Sequence, residues 1–599
     1  MNDLYNEPVP KLIKMANRLI KSPEEYSVAY KEDSLTKIEL AVLGSFSIQH
    51  LTKILRLFLD REGIFSEIYE GEYDGIEMDV LDPFSKLYEF NPRFVVVLMR
   101  HNDFRWESEE DLKEAESFMD ILFSHLSTIE GVTVFISNIA LPPERPWGTL
   151  EADYYHTRRS LITRFNLDLA KNRPGNVRII DLEYLSSLKG KENWFDDTAY
   201  YLSKQGFSMD YLGTVAEEIT RMILPDLGRV RKCLVLDLDN TLWGGIVGED
   251  GPEGINVDPN DPEGEAYRAF QEYVLRLKKR GVLLAVNSKN DEDIAKEPFE
   301  KNPGMILKLS DIACFTANWS DKAGNMAYIA KHLNIGMDSL VFFDDSPAER
   351  EIVRRFCPEI LVIDVPEEPE NYVSALDRAD PFEWTGVTKE DIIRSDSYIA
   401  NAKREEMVSS FTDYREYLKA LEMKGKVVRV GESEAERFAM LTNKSNQFNL
   451  RTQRYSDGEI RKMMGDESIR LLAVSLSDKF TEYGIISCIV LKKASGRPGF
   501  ADSDCFIENW CMSCRVLKRG VENLAFRHIR EEAKKMGCGR LIGEFIRTRK
   551  NGMVEGLYAS LGFSPLEAED PGEGVYYGYD LTKDRDEEVL IEDASLRSE

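Results

Sequence analysis

LVLDLDNTLWGG, residues Leu234–Gly245, is the stretch that decides how this chain is read. An apolar run of strand type ends on Asp237 and Asp239. Side chains at that spacing leave the same side of an extended chain. One carboxylate placed there can attack a phosphoryl group while the other protonates the leaving oxygen. Neither can approach a phosphate dianion unless charge is balanced, so the pair requires a metal ion and a cation close by. Both are available downstream. VFFDDSPAE (341–349) puts Asp344 and Asp345 at the tip of another strand. Together with Asp237 and the Asp239 carbonyl they make a set of hard oxygen ligands of the kind Mg²⁺ prefers. Ser288, closing VLLAVNS, can hydrogen-bond a phosphate, and Lys322 in NWSDKAGN can balance its charge. An aspartate pair at a strand end is by itself usually a loop cap. Four such elements in this order, each at a strand end or in the loop after it, are hard to obtain by chance.

Working outward, 599 residues are too many for one hydrophobic core, and the pattern divides the chain. Residues 38–228 alternate short β-rich runs (IELAVLG, FSEIYEG, RFVVVLM, VTVFIS, VRIIDL) with longer amphipathic stretches such as Ser108 to Ser127. Residues 229–365 repeat this with CLVLDL, VLLAVNS, LVFFDD and ILVIDV. Strand–helix alternation of this kind predicts parallel α/β layers. Residues 1–37 read as a helical extension and 366–404 as a charged helical connector. Residues 405–582 mix strands with a helix from Val521 to Lys535, and 583–599 read as a charged, mobile tail.

Composition narrows the function classes. With 77 basic and 106 acidic residues the formal charge is −29, which argues against a nucleic-acid partner. No run approaches the roughly 20 apolar residues of a spanning helix, and the first residues lack a signal-peptide core. The eight cysteines all lie beyond residue 230, several in apolar runs, which suits a reducing compartment. The expectation is a soluble cytoplasmic protein without a membrane partner.

The order DLDNT, strand-end Ser, Lys and DD resembles the haloacid-dehalogenase (HAD) superfamily. DLDNTLWGGIVGEDG, with NWSDKAGN and FFDDSPAERE, is similar to its FkbH-like branch, subfamily IIIC. That resemblance implies an aspartyl-phosphate at Asp237, acid–base work by Asp239, and Mg²⁺ held by Asp237, Asp239 and Asp344 with Asp345 nearby. The interval Gly245 to Ser288 is too short for a large cap, so other parts of the chain must shape the substrate pocket.

In the C-terminal part, NWCMSCRVLKRGVE (509–522) follows a strand and leads into a helix, a place where backbone N–H groups bind anions. Cys514 lies near that point beside Arg515, Lys518 and Arg519. An inert core thiol is the ordinary reading of such a cysteine. Cys511 and Cys514 form a CxxC, but no second CxxC accompanies it, so zinc is a weak reading. The segment resembles the GNAT acyltransferase fold, whose R-x-x-G-x-G loop holds the pyrophosphate of acetyl-CoA. Arg515, Arg519 and Gly520 match that loop, and Lys518 replaces its first glycine. SCRV and NKSNQFNLRTQRY (443–455) resemble FkbH-like proteins more closely. In that family the two parts make glyceryl thioesters on an acyl carrier protein from 1,3-bisphosphoglycerate. The resemblance implies that Cys514 accepts the glyceryl group before the carrier's phosphopantetheine thiol. Lys444, Arg451, Arg454, Arg515, Lys518, Arg519, Arg547, Arg549 and Lys550 fall in these motif segments, and a basic rim for an acidic carrier is expected from them.

Residues 38–225 resemble the SGNH-hydrolase-like domain of longer FkbH-like proteins. Ser45 follows the first strand in LGSFS, where that fold keeps its nucleophile, and Asn102 in RHNDF is placed as an oxyanion donor. The Asp-x-x-His of that fold appears as Asp197 to Tyr200, without the histidine, so a structural or substrate-positioning role is expected there.

The expected architecture is therefore α/β and multidomain: an SGNH-like domain, a HAD-like Rossmannoid domain with a minimal cap, and a GNAT-like α+β domain. The expected activity is Mg²⁺-dependent removal of phosphate from 1,3-bisphosphoglycerate, coupled to glyceryl transfer through Cys514 to an acyl carrier protein. The alternative is a HAD phosphatase whose GNAT-like part acylates a sugar or amine from acyl-CoA.

Overall fold

CLVL, the run ahead of Asp237, is buried on both faces as strand β6 (Cys233–Leu236), the setting of a parallel sheet covered by helices on each side. The computed structural model describes residues 4, 7–31, 36–386, 413–497, 499–548, 550–566, 574–583 and 589–597. They group into two compact units, residues 1–223 with 455–462, and 224–454 with 463–599.

In the second unit β6 is flanked in parallel by β7 (Leu283–Ser288) and β9 (Leu340–Phe343). β8 (Cys314–Ala317) and β10 (Leu361–Val362) complete the order β10-β9-β6-β7-β8. The chain leaves β6 toward one edge and later returns to its other side, so the strand order reverses at β6. A crevice opens beyond the carboxyl ends of the strands at such a point. Only two helices, Val247–Gly254 and Pro262–Lys279, stand between β6 and β7, in keeping with a minimal cap. The longer one starts where its sequence dictates. Asp261 accepts the Gly264 N–H at 3.0 Å, Pro262 occupies the first turn, and Arg276, Lys278 and Lys279 close the last.

The same unit contains a mixed sheet. Its strands are β11 (Lys424–Arg429), β12 (Phe448–Asn449), β13 (Ile469–Ser477), β14 (Glu482–Lys493), β15 (Asp504–Met512), β16 (Arg540–Phe545), β17 (Ser564–Leu566), β18 (Val575–Asp580) and β19 (Glu592–Asp593). The order is β17-β18-β16-β15-β14-β13-β11-β19, with β12 on β15. β13, β14 and β15 form an antiparallel meander, whereas β15 and β16 are parallel and joined through the helix Val521–Lys535.

Two sequence expectations change here. Residues 366–386 are not a connector. The helix Tyr372–Ala379 sets Tyr372 and Leu376 four positions apart on one face, and with Phe382 they join the core that covers β6. Residues 387–404 of the expected connector lie outside the described residues. Nor is the chain end a mobile tail where it is described. β19 pairs with β11 in parallel, Ile591 is buried, and His528 Nε2 meets Asp593 Oδ2 at 2.8 Å. Charge counting missed the apolar triplet Val589–Ile591 inside the acidic segment, which packs on the core.

The first unit is a separate parallel sheet of β1 (Thr36–Gly44), β2 (Ile64–Glu70), β3 (Phe94–Leu98), β4 (Thr133–Ser137) and β5 (Val177–Ile180), ordered β2-β1-β3-β4-β5. The amphipathic stretch after Ser108 is the helix Glu109–Leu126, started by a capping box between Ser108 and Asp111. Among the described residues no helix is long and apolar enough to cross a membrane.

Candidate functional site

Asp237 follows β6 at the point of strand reversal, and its N–H continues the ladder to the Phe343 carbonyl at 3.0 Å. Its backbone is therefore held in place by the sheet. Asp237 is 8% exposed, and Oδ1 is buried with no hydrogen-bond partner. Oδ2 lies 2.9 Å from Lys322 Nζ, and the same ammonium is 2.5 Å from Asp344 Oδ2. Lys322 is 2% exposed and Asp344 is 0%. Burial pulls the Lys322 ammonium down, but Asp237 and Asp344 outweigh it and hold it above its usual value. Asp344 is pushed up to about 7 by burial and by the neighbouring Asp237 charge, against the pull of Lys322 and of the Ser346 N–H. Burial and Asp237 also raise Asp345, whose Oδ1 accepts from Thr241 Oγ1 at 3.2 Å.

Asp237, Asp344 and Asp345 bring carboxylate oxygens within 4.8 Å of one another. Three carboxylates share one lysine, and one of their oxygens has no donor. A hard cation fits that excess of oxygen and charge. The Asp239 carboxylate is not part of the cluster. Trp243 Nε1 at 2.9 Å and the Val247 N–H at 3.0 Å donate to its Oδ1, and Asn290 Nδ2 donates to Oδ2 at 2.7 Å. Ser288 ends β7, 2% exposed, with Asn290 Nδ2 3.4 Å from its Oγ.

Several supporting residues escaped the sequence reading. Asn287 Nδ2 donates to the Lys322 carbonyl at 2.9 Å and its Oδ1 accepts from Asn325 Nδ2 at 3.1 Å, pinning the helix start that carries Lys322. Arg350 Nη1 ties down the Asp344 and Asp345 carbonyls at 2.7 and 2.8 Å. The signal for Asn287 was present, since an asparagine inside the apolar run VLLAVNS must find partners when buried. Gly245 takes φ 93°, and a Cβ there would meet Asp250 Oδ2 at 2.6 Å, so the turn after DLDNT needs glycine.

Cys514 is not brought to these residues. It is the one cysteine of the eight that is not fully buried, and it lines a cavity of about 550 Å³ with Lys232 and Ser339, which precede β6 and β9. That is the amino end of the strands, whereas Asp237 lies at the carboxyl end. Five residue steps from Lys232 to Asp237 span about 16 Å. Asn334 Nδ2 donates to the Cys514 carbonyl at 2.6 Å. Nor does Cys514 open the following helix, which begins at Val521. Cys511 is instead the register partner of Cys488 on the neighbouring strand, and burial together with the Cys511 thiol pushes the Cys488 thiol up.

The loop matched to pyrophosphate binding turns through two left-handed residues. Lys518 adopts φ 63° and Gly520 φ 80°, both left-handed. Its arginines do not point to solvent. Arg515 reaches Ser513 Oγ, and Arg519 reaches Tyr483 Oη and, at 3.3 Å, Asp478. The gap where β15 and β16 diverge is filled as well. The Leu450 N–H donates to the Trp510 carbonyl at 3.2 Å, and the Leu450 carbonyl accepts from the Ile546 N–H at 2.9 Å. Of the residues expected to form a basic rim, Arg515 and Arg519 are buried and so do not serve it, and the Arg451 side chain is enclosed by Glu508 and Glu544. Arg547 and Lys550 stay exposed, paired with Glu555 and Asp338. Arg549 lies outside the described residues.

In the first unit Ser45 follows β1, with its N–H on the Leu98 carbonyl at 3.1 Å. Tyr200 stands where the histidine was expected and accepts from Asn102 Nδ2, while the Arg100 guanidinium lies 3.8 Å over its ring. Asp197 is 3.7 Å from Arg100. Burial pushes Asp103 up to about 6, against the Ser45 hydroxyl and the Arg100 N–H.

Comparison with known proteins places the chain. Residues 39–141 match the family model for the FkbH N-terminal domain. The crystal structure of the N-terminal part of BF1531 from Bacteroides fragilis, containing a phosphatase domain complexed with Mg, is 33% identical with a TM-score of 0.57. The match covers 62% of this chain and 99% of that one. The GNAT domain of S. lividans PAT is 15% identical over 26% of this chain and 89% of its own, with a TM-score of 0.21. The ribosomal-protein-S18-alanine N-acetyltransferase from Escherichia coli is 13% identical over 28% and 99%, with a TM-score of 0.20. No curated protein matches the chain. On the matching domain model and the Bacteroides relative, this chain belongs to the FkbH-like family of the HAD superfamily.

Proposed function

We propose that the second unit removes phosphate from a small phosphorylated acyl compound through Asp237 and that Cys514 carries the acyl group toward a carrier-protein thiol. The observation that carries the phosphatase half is the buried Asp237–Lys322–Asp344 arrangement at the end of β6, with Asp237 Oδ1 lacking a donor. Asp237, Asp344, Asp345 and the Asp239 carbonyl would hold Mg²⁺, and the Bacteroides relative's phosphatase domain is complexed with Mg. When bound, the ion supplies charge neutralisation for the incoming phosphate.

Asp237 attacks phosphorus, the P–O bond to the leaving group breaks, and an aspartyl-phosphate forms. Lys322 fixes the nucleophile's rotamer and offsets charge on the phosphoryl oxygens. Ser288 Oγ donates to one of those oxygens. Asp239 gives a proton to the leaving oxygen and then takes one from the water that cleaves the aspartyl-phosphate. For this it must turn out of the hold of Trp243, Val247 and Asn290, whose donors occupy both of its oxygens in the resting protein.

The compound is proposed to be 1,3-bisphosphoglycerate and the carrier an acyl carrier protein, on family resemblance. Transfer from acyl-CoA is the weaker reading. The strand edges that could pair with an amide-bearing arm between β15 and β16 are taken by Leu450. The test is intact mass after incubation with 1,3-bisphosphoglycerate and Mg²⁺ for wild type, Cys514→Ala and Asp237→Asn. A glyceryl adduct surviving Cys514→Ala sinks the thiol assignment. Phosphate release without any adduct reduces the function to a plain phosphatase.

A further inference from the structure

In the first unit the strand order β2-β1-β3-β4-β5 also reverses, at β1, so a crevice opens beyond the carboxyl ends of β1 and β3. Ser45 stands just past β1, Tyr73 and Asp74 past β2, and Arg100 to Asp103 past β3. Burial, then Asp74, Tyr200 and Asp103, raise the Tyr73 hydroxyl, so these loops and the helix Asp197–Ser203 converge there. The group that packing leaves unsatisfied is Arg100. It is 6% exposed, and its guanidinium lies 3.8 Å over the Tyr200 ring and 5.5 Å over that of Phe195. Its Nε is buried with no acceptor. Its ion-pair partner, Asp197, is 3.7 Å from Nη2, too far for a hydrogen bond, and that side chain is 65% exposed. A planar fork clamped by aromatic rings, with only a loose outer partner, can take an oxyanion of better geometry. Burial, Arg100 and Arg158 push His101 down to about 3, so the field at this spot is positive. The Ser45 hydroxyl lies by Asp103, whose carboxyl burial raises and Ser45 lowers, and Ser45 Oγ is buried without a well-formed hydrogen bond.

We propose that this crevice binds a small hydroxylated carboxylic acid, with its carboxylate on the Arg100 fork in place of Asp197 and a hydroxyl between Ser45 and Asp103. The inference is independent of the readings of Asp237 and Cys514. A carboxylate matches the fork in shape and satisfies donors that are otherwise buried unpaired, which is costly whatever the net charge. The ligand hydroxyl donates to Asp103 and accepts from Ser45, so both flanking groups gain a partner. A phosphate dianion fits less well, because Asp103 and Asp197 stand beside the fork and repel a double charge more than a single one. With Tyr200 in the position where a histidine base was expected, Ser45 has a hydrogen-bonding role here and no bond of the ligand is broken.

The experiment is isothermal titration calorimetry of the full chain at constant ionic strength in EDTA, which keeps metal from the Asp237 cluster. D-glycerate is the probe, compared with propionate, which has the same carbon chain without hydroxyls, and with inorganic phosphate. D-glycerate should bind, and the other two should bind at least about fivefold more weakly. Arg100→Met should weaken D-glycerate at least about tenfold, the loss of a charged hydrogen-bond pair. Asp197→Asn should tighten it at least about twofold, since the competing carboxylate is gone. No binding of D-glycerate, binding kept in Arg100→Met, or affinity unchanged or reduced in Asp197→Asn overturns the site. Propionate or phosphate binding as tightly as D-glycerate overturns the assigned ligand class. If Arg100→Met melts early, Asp197→Asn carries the comparison, because its side chain is exposed and an arginine with a purely structural role gives no tightening when its partner is removed.

Discussion

Replacing Lys322 by Met should convert the Asp237 cluster from a balanced group into a source of instability that depends on pH and metal. The lysine is the cation within 2.9 Å of Asp237 and 2.5 Å of Asp344, and all three groups are almost fully buried. Removing one partner of a buried ion pair costs about 3–5 kcal/mol, because the remaining charge has no compensation. At the lower end this lowers the melting temperature of a region of this size by about 6–12 °C. Two carboxylates without the lysine raise one another's pKa above the unfolded value near 4, and Asp344 already sits at about 7 with the lysine present. The folded variant then binds more protons than the unfolded chain, so its stability falls as pH rises through that window. The deficit should be large at pH 8, smaller at pH 5, and largely reversed by millimolar Mg²⁺. Differential scanning calorimetry of wild type and variant at both pH values, with and without Mg²⁺, reads this directly. A melting temperature within about 2 °C of wild type at pH 8 without metal, or a deficit equal at both pH values, would refute the reasoning.

Other positions give independent checks. Asp237→Asn should abolish phosphate release from p-nitrophenyl phosphate, by about three orders of magnitude or more, while intact mass shows no phosphorylated protein. Arg451→Met leaves the buried Glu544 without this cation, while Glu508 keeps Arg497, and should destabilise by about 3 kcal/mol in urea titration, in contrast to a rim arginine, which would cost almost nothing. Lys518→Gly relieves a left-handed non-glycine residue and should stabilise by up to about 1 kcal/mol in the same titration. His528→Ala should free the β19 segment, read as faster proteolysis after residue 583. Burial raises Asp593, but Ser595 and His528 outweigh it and hold it below the ordinary range, so its share of docking survives mild acid and is lost only below about pH 4.

The strands that the sequence announced are those whose apolar runs are long and bounded. CLVL and VLLAVNS read clearly because both faces of a central parallel strand are buried. β8, CFTA, went unread because four residues with a threonine carry too little pattern. Site residues were legible where chemistry requires a charged group at a strand end, as at Asp237 and Asp344. The residues that orient them, Asn287, Asn290 and Arg350, were not, because their roles are hydrogen bonds across loops far apart in sequence. Basic residues were misread for a related reason. Arg451 looks like surface charge in sequence, and only the fold places Glu508 and Glu544 against it.

The position of Cys514 alters what coupling between the two chemistries can mean. A shared chamber would set the thiol beside Asp237, yet the sheet places them at opposite strand ends, with Asn334 of the β6 layer bonded to the Cys514 carbonyl. The loops at the amino end of the β6 layer thus form part of the cavity that Cys514 lines, away from Asp237. It follows that Asp237→Asn should leave the rate of Cys514 alkylation by iodoacetamide unchanged. Asn334→Ala should change that rate while leaving p-nitrophenyl phosphate hydrolysis intact, since only a contact worth about 1 kcal/mol is lost. If the two variants instead moved together, each impairing both readouts, the separation of the sites along β6 would not be how the protein works.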